Sequence, residues 1–260
     1  MLLSIQTHLL YATSQPCDLL LQVEAFSDGA QQCHEAQLTL DYVSVHREIS
    51  GEEGMGTRRW IKAGPRFECR YTALVEVTRP AIALNGLGQT PWVEIPSEVV
   101  KYLMPSRYCQ SELFLDFVSS QFRDMSGGDL IENMSHWIYT NFTYDNGISH
   151  AGTSATDSFG SQAGVCRDYA HVLISLARAA GIPARFVSVY APDVVPQDFH
   201  AVVEVYLEDA WYIVDPTGMA IPTEIIRICV GRDASDASFL TSYGWMDLIE
   251  QSVDVRRADA

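Results

Sequence analysis

The chain reads as an α+β protein in which a helix bearing a thiol packs on an antiparallel sheet, preceded by a small β-sandwich. Three observations predict this. The first 80 residues alternate in polarity with period two, helical spacing appears only after residue 100, and strand-like runs resume beyond Gly181.

From Phe67 to Val77 the odd positions are Phe, Cys, Tyr, Ala, Val and Val, and the even ones Glu, Arg, Thr, Leu and Glu, as in a half-buried strand. Leu19 to Phe26 and Gln37 to Val45 are further strand candidates, separated by turn chemistry at Ser27-Asp28-Gly29. Several antiparallel strands without a helix imply the sandwich. Gly51 to Gly56 is a loop whose glycines lack the spacing, and the following helix, of a nucleotide-binding fingerprint. Arg79-Pro80 through Pro96, rich in Pro, Gly and Asn, reads as the seam between a domain over 1–95 and a second over 96–260.

In the second domain helical patterns fall at Ser111–Phe122 and Asp129–Asn141, and the polar stretch Gly147–Gly164 reads as a long loop. An apolar-periodic segment then runs from Cys166 to Ala180 and stops at Gly181, with Pro183 just beyond. Strands follow at about Ala184–Tyr190, Ala201–Leu207 and Trp211–Val214.

With 47% hydrophobic and 19% charged residues in 260, the chain can bury a large core. Its net charge of −16, with no Lys/Arg run, argues against a nucleic-acid partner, which needs clustered cations. The acidic surface reads as solubility. The six cysteines, at 17, 33, 69, 109, 166 and 229, show no C-x-x-C spacing and no zinc-like cluster with histidine, so no metal or other cofactor is expected. Met1 to Thr13 has no basic region and no unbroken apolar block, and no stretch approaches a membrane span. The expectation is a cytoplasmic protein with reduced thiols and no membrane partner.

Cys166, His200 and Asp215 are the candidate catalytic residues. Cys166 follows Gly164-Val165 and sits in the first turn of its helix, where unpaired N–H groups and the positive dipole end favour a thiolate. His200 opens one strand, and Asp215 ends another just before Pro216. A nucleophile, a base and a carboxylate that orients the base are the parts of an acyl-transfer site. In the His200 strand, Ala201, Val203, Val205 and Leu207 form an apolar face and His200, Glu204 and Tyr206 share the more polar one. His171 is the rival base, but five positions after Cys166 it lies about 140° around the helix. Asp168 reads as a first-turn carboxylate favoured by the helix dipole. The backbone N–H of Cys166 is the natural oxyanion donor, and Gln162 is the candidate for the second.

The turn near Glu208-Asp209-Ala210 carries a parity condition. An even connection gives paired residues an index sum of 417, which sets Asp215 opposite Val202, on the face of His200 and diagonal to it. An odd connection without a bulge would put the two on opposite faces.

Gly164-Val-Cys-Arg-Asp-Tyr-Ala, Arg178-Ala-Ala-Gly-Ile-Pro-Ala-Arg185, His200-Ala and Val214-Asp-Pro-Thr217 resemble the motifs of the bacterial transglutaminase-like proteins, a family often assigned as cysteine proteases. Tyr102 through Tyr108, Trp137 through Asp145 and Gly231 through Asp236 are similar to flanking segments of that family. The likeness covers roughly Lys101 to the C-terminus, with a weaker one over the β-rich N-terminal part. It implies a papain-like, transglutaminase-like catalytic domain with Cys166, His200 and Asp215 as its triad. The family usually follows the histidine with Ala-Trp, whereas Ala201-Val202 stands here, which bears on the lining of the cleft.

The leading functional reading is a thiol peptidase or amidase acting on a polypeptide or small amide through a thioester. Transfer of the acyl group to an amine, as in a transglutaminase, shares that intermediate and stays open. The reading from another class is a non-catalytic binding or scaffold protein on the same fold.

Overall fold

The computed structural model describes residues 1–258. The N-terminal part is built on β1 (Leu2–Thr13), β2 (Cys17–Leu21), β3 (Gln31–Ser50) and β4 (Thr57–Val77). Alternate residues of these strands, among them Leu3, Ile5, Leu9, Leu19, Leu21, Phe67, Cys69 and Val75, are buried, as period-two patterning requires. β3 runs alongside nearly all of β4, and its register slips after His34, Asp41 and Val43 accommodate the bending of so long a pair. On the other edge of β4, β1 and then β2 lie end to end.

A second set of elements follows: α1 (Ser97–Val100), α2 (Leu115–Gln121), α3 (Gly127–Asn141), β5 (Thr143–Tyr144), α4 (Ala155–Ser161), β6 (Ala163–Gly164) and α5 (Cys166–Ala179). Then come β7 (Ala184–Tyr190), β8 (His200–Leu207), β9 (Ala210–Val214), β10 (Ile226–Gly231), α6 (Ala234–Ala237), β11 (Leu240–Ser242) and β12 (Met246–Arg257). The central sheet has the order β10-β7-β8-β9, antiparallel throughout. Its inner face, with Ala184, Phe186, Ala201, Val203, Val205 and Leu207, shares a continuous core with α5. The α+β expectation, a thiol-bearing helix on an antiparallel sheet, describes this arrangement.

Several expectations need correction. The N-terminal strands are hydrogen-bonded into one six-stranded sheet rather than the two facing sheets of a sandwich, because β4 is long enough to pair with β1, β2 and β3 together. The C-terminal β11 and β12 join that sheet, on β2 and β1 respectively, so 96–260 is not a separate unit. The seam is tied down rather than free: Gly128 N–H donates to Leu87 O at 2.9 Å, and Trp92 Nε1–H to Gly181 O at 3.0 Å. The stretch Gly147–Gly164 contains α4, whose start is a capping box in which Ser154 N–H donates to Asp157 Oδ2 at 2.9 Å.

The outer face of the central sheet is not open either. All of β8 is buried, and Glu204 sits between Arg185 (2.7 Å) and Arg227 (3.1 Å). The β3–β4 connection reaches over this face, where Glu53 accepts from Arg185 at 2.7 Å and from Tyr102 Oη–H at 2.6 Å. Burial opposes the charge on Glu204, but the two guanidinium groups hold its carboxyl below the ordinary value. Removing one partner of a buried ion pair leaves charge without compensation. Glu204→Gln should therefore lower stability by about 3–5 kcal/mol in urea denaturation, and a loss below about 1 kcal/mol would show that this network does not tie the two sheets together.

Candidate active site

Cys166 is the first residue of α5. Its position is set from behind by Asp168, which is fully buried and accepts Val165 N–H through Oδ2 at 2.9 Å. Gly164 is needed here because a Cβ would lie 2.6 Å from Asp168 Oδ2. Arg167 reaches from Asp168 Oδ1 (3.2 Å) to Ser149 Oγ (2.9 Å) and His150 O (2.6 Å), pinning the preceding loop. At the far end of α5, buried Arg178 donates to Ala184 O at 2.9 Å and Met104 O at 3.0 Å, locking the helix to β7.

β8 and β9 are joined by the two residues Glu208 and Asp209, both left-handed at φ 44° and 61°, as a tight hairpin turn demands. The register runs from Leu207↔Ala210 to Val203↔Val214, an index sum of 417. Continued by one pair, it brings Asp215 opposite Val202 and diagonal to His200. His200 Nε2 and Asp215 Oδ2 are 2.9 Å apart, with both side chains almost wholly buried. Asp215 Oδ1 accepts Thr217 N–H (2.9 Å) and Thr217 Oγ1–H (2.8 Å), and Oδ2 also accepts Ala220 N–H (2.8 Å).

The other ring nitrogen, His200 Nδ1, is buried with no hydrogen-bond partner among the described residues. Cys166 and His200 line the same cleft of about 690 Å³, together with Tyr144, Asp198, Phe199 and Phe239. Burial works against a charged imidazole, but the bond to Asp215 and the neighbouring charges of Cys166 and Asp215 outweigh it and raise His200 to about 10. Asp215 is lowered: burial opposes its charge, and the bond to His200 overcomes that penalty.

The remaining candidates separate cleanly. His171 is fully buried, stacked on Tyr108 with centroids 5.1 Å apart, and accepts Ala234 N–H at 3.2 Å. Burial pushes it down to about 3, so it stays neutral. His136 and His150 are exposed. Burial pushes the Cys69, Cys109 and Cys229 thiols up to about 12, whereas Cys166 is partly accessible.

Gln162 does not join the cluster. It is an exposed left-handed residue capping α4, it is absent from the cleft lining, and its carbonyl accepts Thr143 N–H at 2.9 Å. Val202, where the family has Trp, is buried among Val187, Val189 and Ile213 rather than in the cleft. Tyr144 is the site residue that motif spacing left unmarked. β5 pairs in parallel with β6, placing Tyr144 beside Gly164, and Tyr144 lines the cleft together with Cys166. Burial, then the charge of Cys166, raises the phenol, which keeps it a proton donor. Only the run Asn141-Phe-Thr-Tyr144 just ahead of the nucleophile segment could have hinted at it.

Residues 120–216, which contain Cys166, His200 and Asp215, match the transglutaminase-like superfamily core. The whole chain superposes on the crystal structure of a candidate cysteine protease from Cytophaga hutchinsonii with a TM-score of 0.92 and 29% identity, covering 100% of this chain and 91% of that one. An uncharacterized protein of Mycobacterium leprae is 29% identical over 200 residues, 69% of this chain and 71% of its own length. An uncharacterized protein of Mycobacterium tuberculosis is 27% identical over 146 residues, 49% of this chain and 46% of its own. Over residues 120–216 this chain is similar to the transglutaminase-like superfamily.

Proposed function

We propose that the protein is a thiol hydrolase that cleaves amide bonds through Cys166, His200 and Asp215. The observation that carries this reading is His200: one nitrogen bonded to Asp215 at 2.9 Å, the other buried, unpartnered and in the cleft with Cys166. Cys166 Sγ attacks the carbonyl carbon, and the oxyanion is met by the backbone N–H of Cys166 and the Tyr144 hydroxyl, which takes the role expected of Gln162. The C–N bond breaks, the imidazolium of His200 gives its proton to the departing amine, and a thioester remains. His200 then takes a proton from water, the resulting hydroxide adds to the thioester, and C–S cleavage releases the acid. Asp215 fixes the ring and balances its charge. All six cysteines are free thiols, which suits a reducing compartment, and the cytoplasm is the proposed location. Among the described residues no helix is long and apolar enough to cross a membrane. The acidic chain is proposed to act without a nucleic-acid or membrane partner.

Turnover of a fluorogenic peptide amide, with and without a primary amine, tests the chemistry. Cys166→Ala should lose at least about 10³-fold in kcat/KM while keeping its fold, and Tyr144→Phe about 10²–10³-fold, mostly in kcat. Turnover retained by the alanine variant rules out thiol catalysis. Product that is mainly the amine adduct assigns transamidation instead of hydrolysis.

The raised His200 value sets a pH dependence. The folded state holds this proton more tightly than an unfolded chain with its ordinary 6.5, so the stabilisation is complete below 6.5 and is lost as pH rises through about 10. Asp215→Asn removes a bond and a charge that raise it. Its His200 NMR titration should fall toward 6.5, and its urea midpoint should lose the decline that the wild type shows across that window. An unmoved titration would mean that Asp215 does not govern the ring.

A further inference from the structure

One wall of the cleft is a run of consecutive residues, Ser238 to Ser242. Successive side chains of a strand point to opposite faces, so a strand lying face-on would meet a cavity with alternate residues only. Contact through consecutive residues means that β11 lies edge-on to the cleft. Among the described residues β11 ends its sheet and pairs with β2 alone.

The phase of that ladder decides what the free edge offers. Gln22 N–H donates to Phe239 O at 2.8 Å and Tyr243 N–H to Asp18 O at 2.9 Å, in the register Leu240↔Leu21, Thr241↔Leu20, Ser242↔Leu19. Hydrogen-bonded and non-hydrogen-bonded pairs alternate along an antiparallel ladder. Phe239, Thr241 and Tyr243 therefore turn their backbone groups toward β2, and Leu240 and Ser242 turn theirs away from it. The edge is also fixed to the chemistry. Phe239, next to Leu240, stacks on Phe199, next to His200, with centroids 4.2 Å and planes 4° apart. Neither β3 nor β12, the other strands of this sheet with an unpaired edge, lines the cleft.

We infer that the acyl donor is an extended polypeptide segment, bound as an added strand on the free edge of β11; this rests on Cys166 being the nucleophile. Leu240 and Ser242 offer two N–H donors and two C=O acceptors, which engage alternate amides of the bound chain. A small amide without flanking residues makes none of these bonds, so the substrate class is polypeptide. Backbone recognition leaves the side-chain sequence loosely specified except where the Phe199–Phe239 stack meets it.

Peptidyl chloromethyl ketones test this, with the rate of Cys166 alkylation as readout and iodoacetamide as the reference reagent. A tetrapeptidyl reagent should label Cys166 about 10-fold or more faster than the one-residue reagent of the same terminal residue. N-methylation of the tetrapeptide, one amide at a time, should lower the rate about 10-fold at alternate amides and by less than about 2-fold at those between. Leu240→Pro removes an outward N–H without costing a bond to β2, and should lower the ratio of tetrapeptidyl to iodoacetamide rate. Iodoacetamide labelling with no gain from chain length, or no alternation under N-methylation, overturns this inference alone. A Cys166 that iodoacetamide labels no faster than the other five thiols overturns the thiol reading and this inference with it.

Discussion

The two-residue turn at Glu208-Asp209 fixes the register that sets Asp215 on the same face of the central sheet as His200. Both residues adopt left-handed φ, the geometry that closes a hairpin without splaying its strands. One residue more or less would move Asp215 to the opposite face, because the side-chain period of a strand is two. With the register as it is, Asp215 lies diagonal to His200 and the two meet at 2.9 Å. Everything else at the site presents a third group to that pair. Asp168, Gly164 and Arg167 hold the start of α5, and Arg178 holds its end.

The N-terminal sheet takes part in this arrangement. Its β3–β4 connection supplies Glu53 to the ion network on the outer face of the central sheet. Tyr71 stacks against Tyr190, whose hydroxyl donates to Val23 O at 2.7 Å, so the sheets are joined through side chains of both. The returning C-terminal strands extend the N-terminal sheet until β11 forms part of the cleft wall. The β-rich part thus shapes the cleft without contributing Cys166, His200 or Asp215.

Residues governed by local rules were legible in the sequence. The alternation of Phe67–Val77, the helix stop at Gly181 and the parity of the β8–β9 hairpin each depend on near neighbours in the chain. What was not legible depends on distant partners. β12 pairs with β1 across more than 230 residues, and no local pattern announces such a closure. Glu204 looks like a solvent-facing charge in its strand, yet it is buried because Arg185 arrives from the adjacent β7 and Arg227 from β10 beyond it. Gln162 was placed near the nucleophile by sequence distance, but its left-handed backbone turns it outward, and Tyr144 from β5 stands beside Cys166 instead. The capping box of α4 lies in Ser154-Ala-Thr-Asp157, within a stretch whose polar composition reads as loop.

The central claim is that Cys166 forms a covalent thioester during turnover. Rapid acid quenching of the protein mixed with a peptidyl p-nitroanilide, followed by intact mass and peptide mapping, tests it directly. The expected result is a single acyl adduct on the peptide containing Cys166, appearing with the first equivalent of released aniline. Release of aniline with no adduct, or with the acyl group on another residue, would contradict the account.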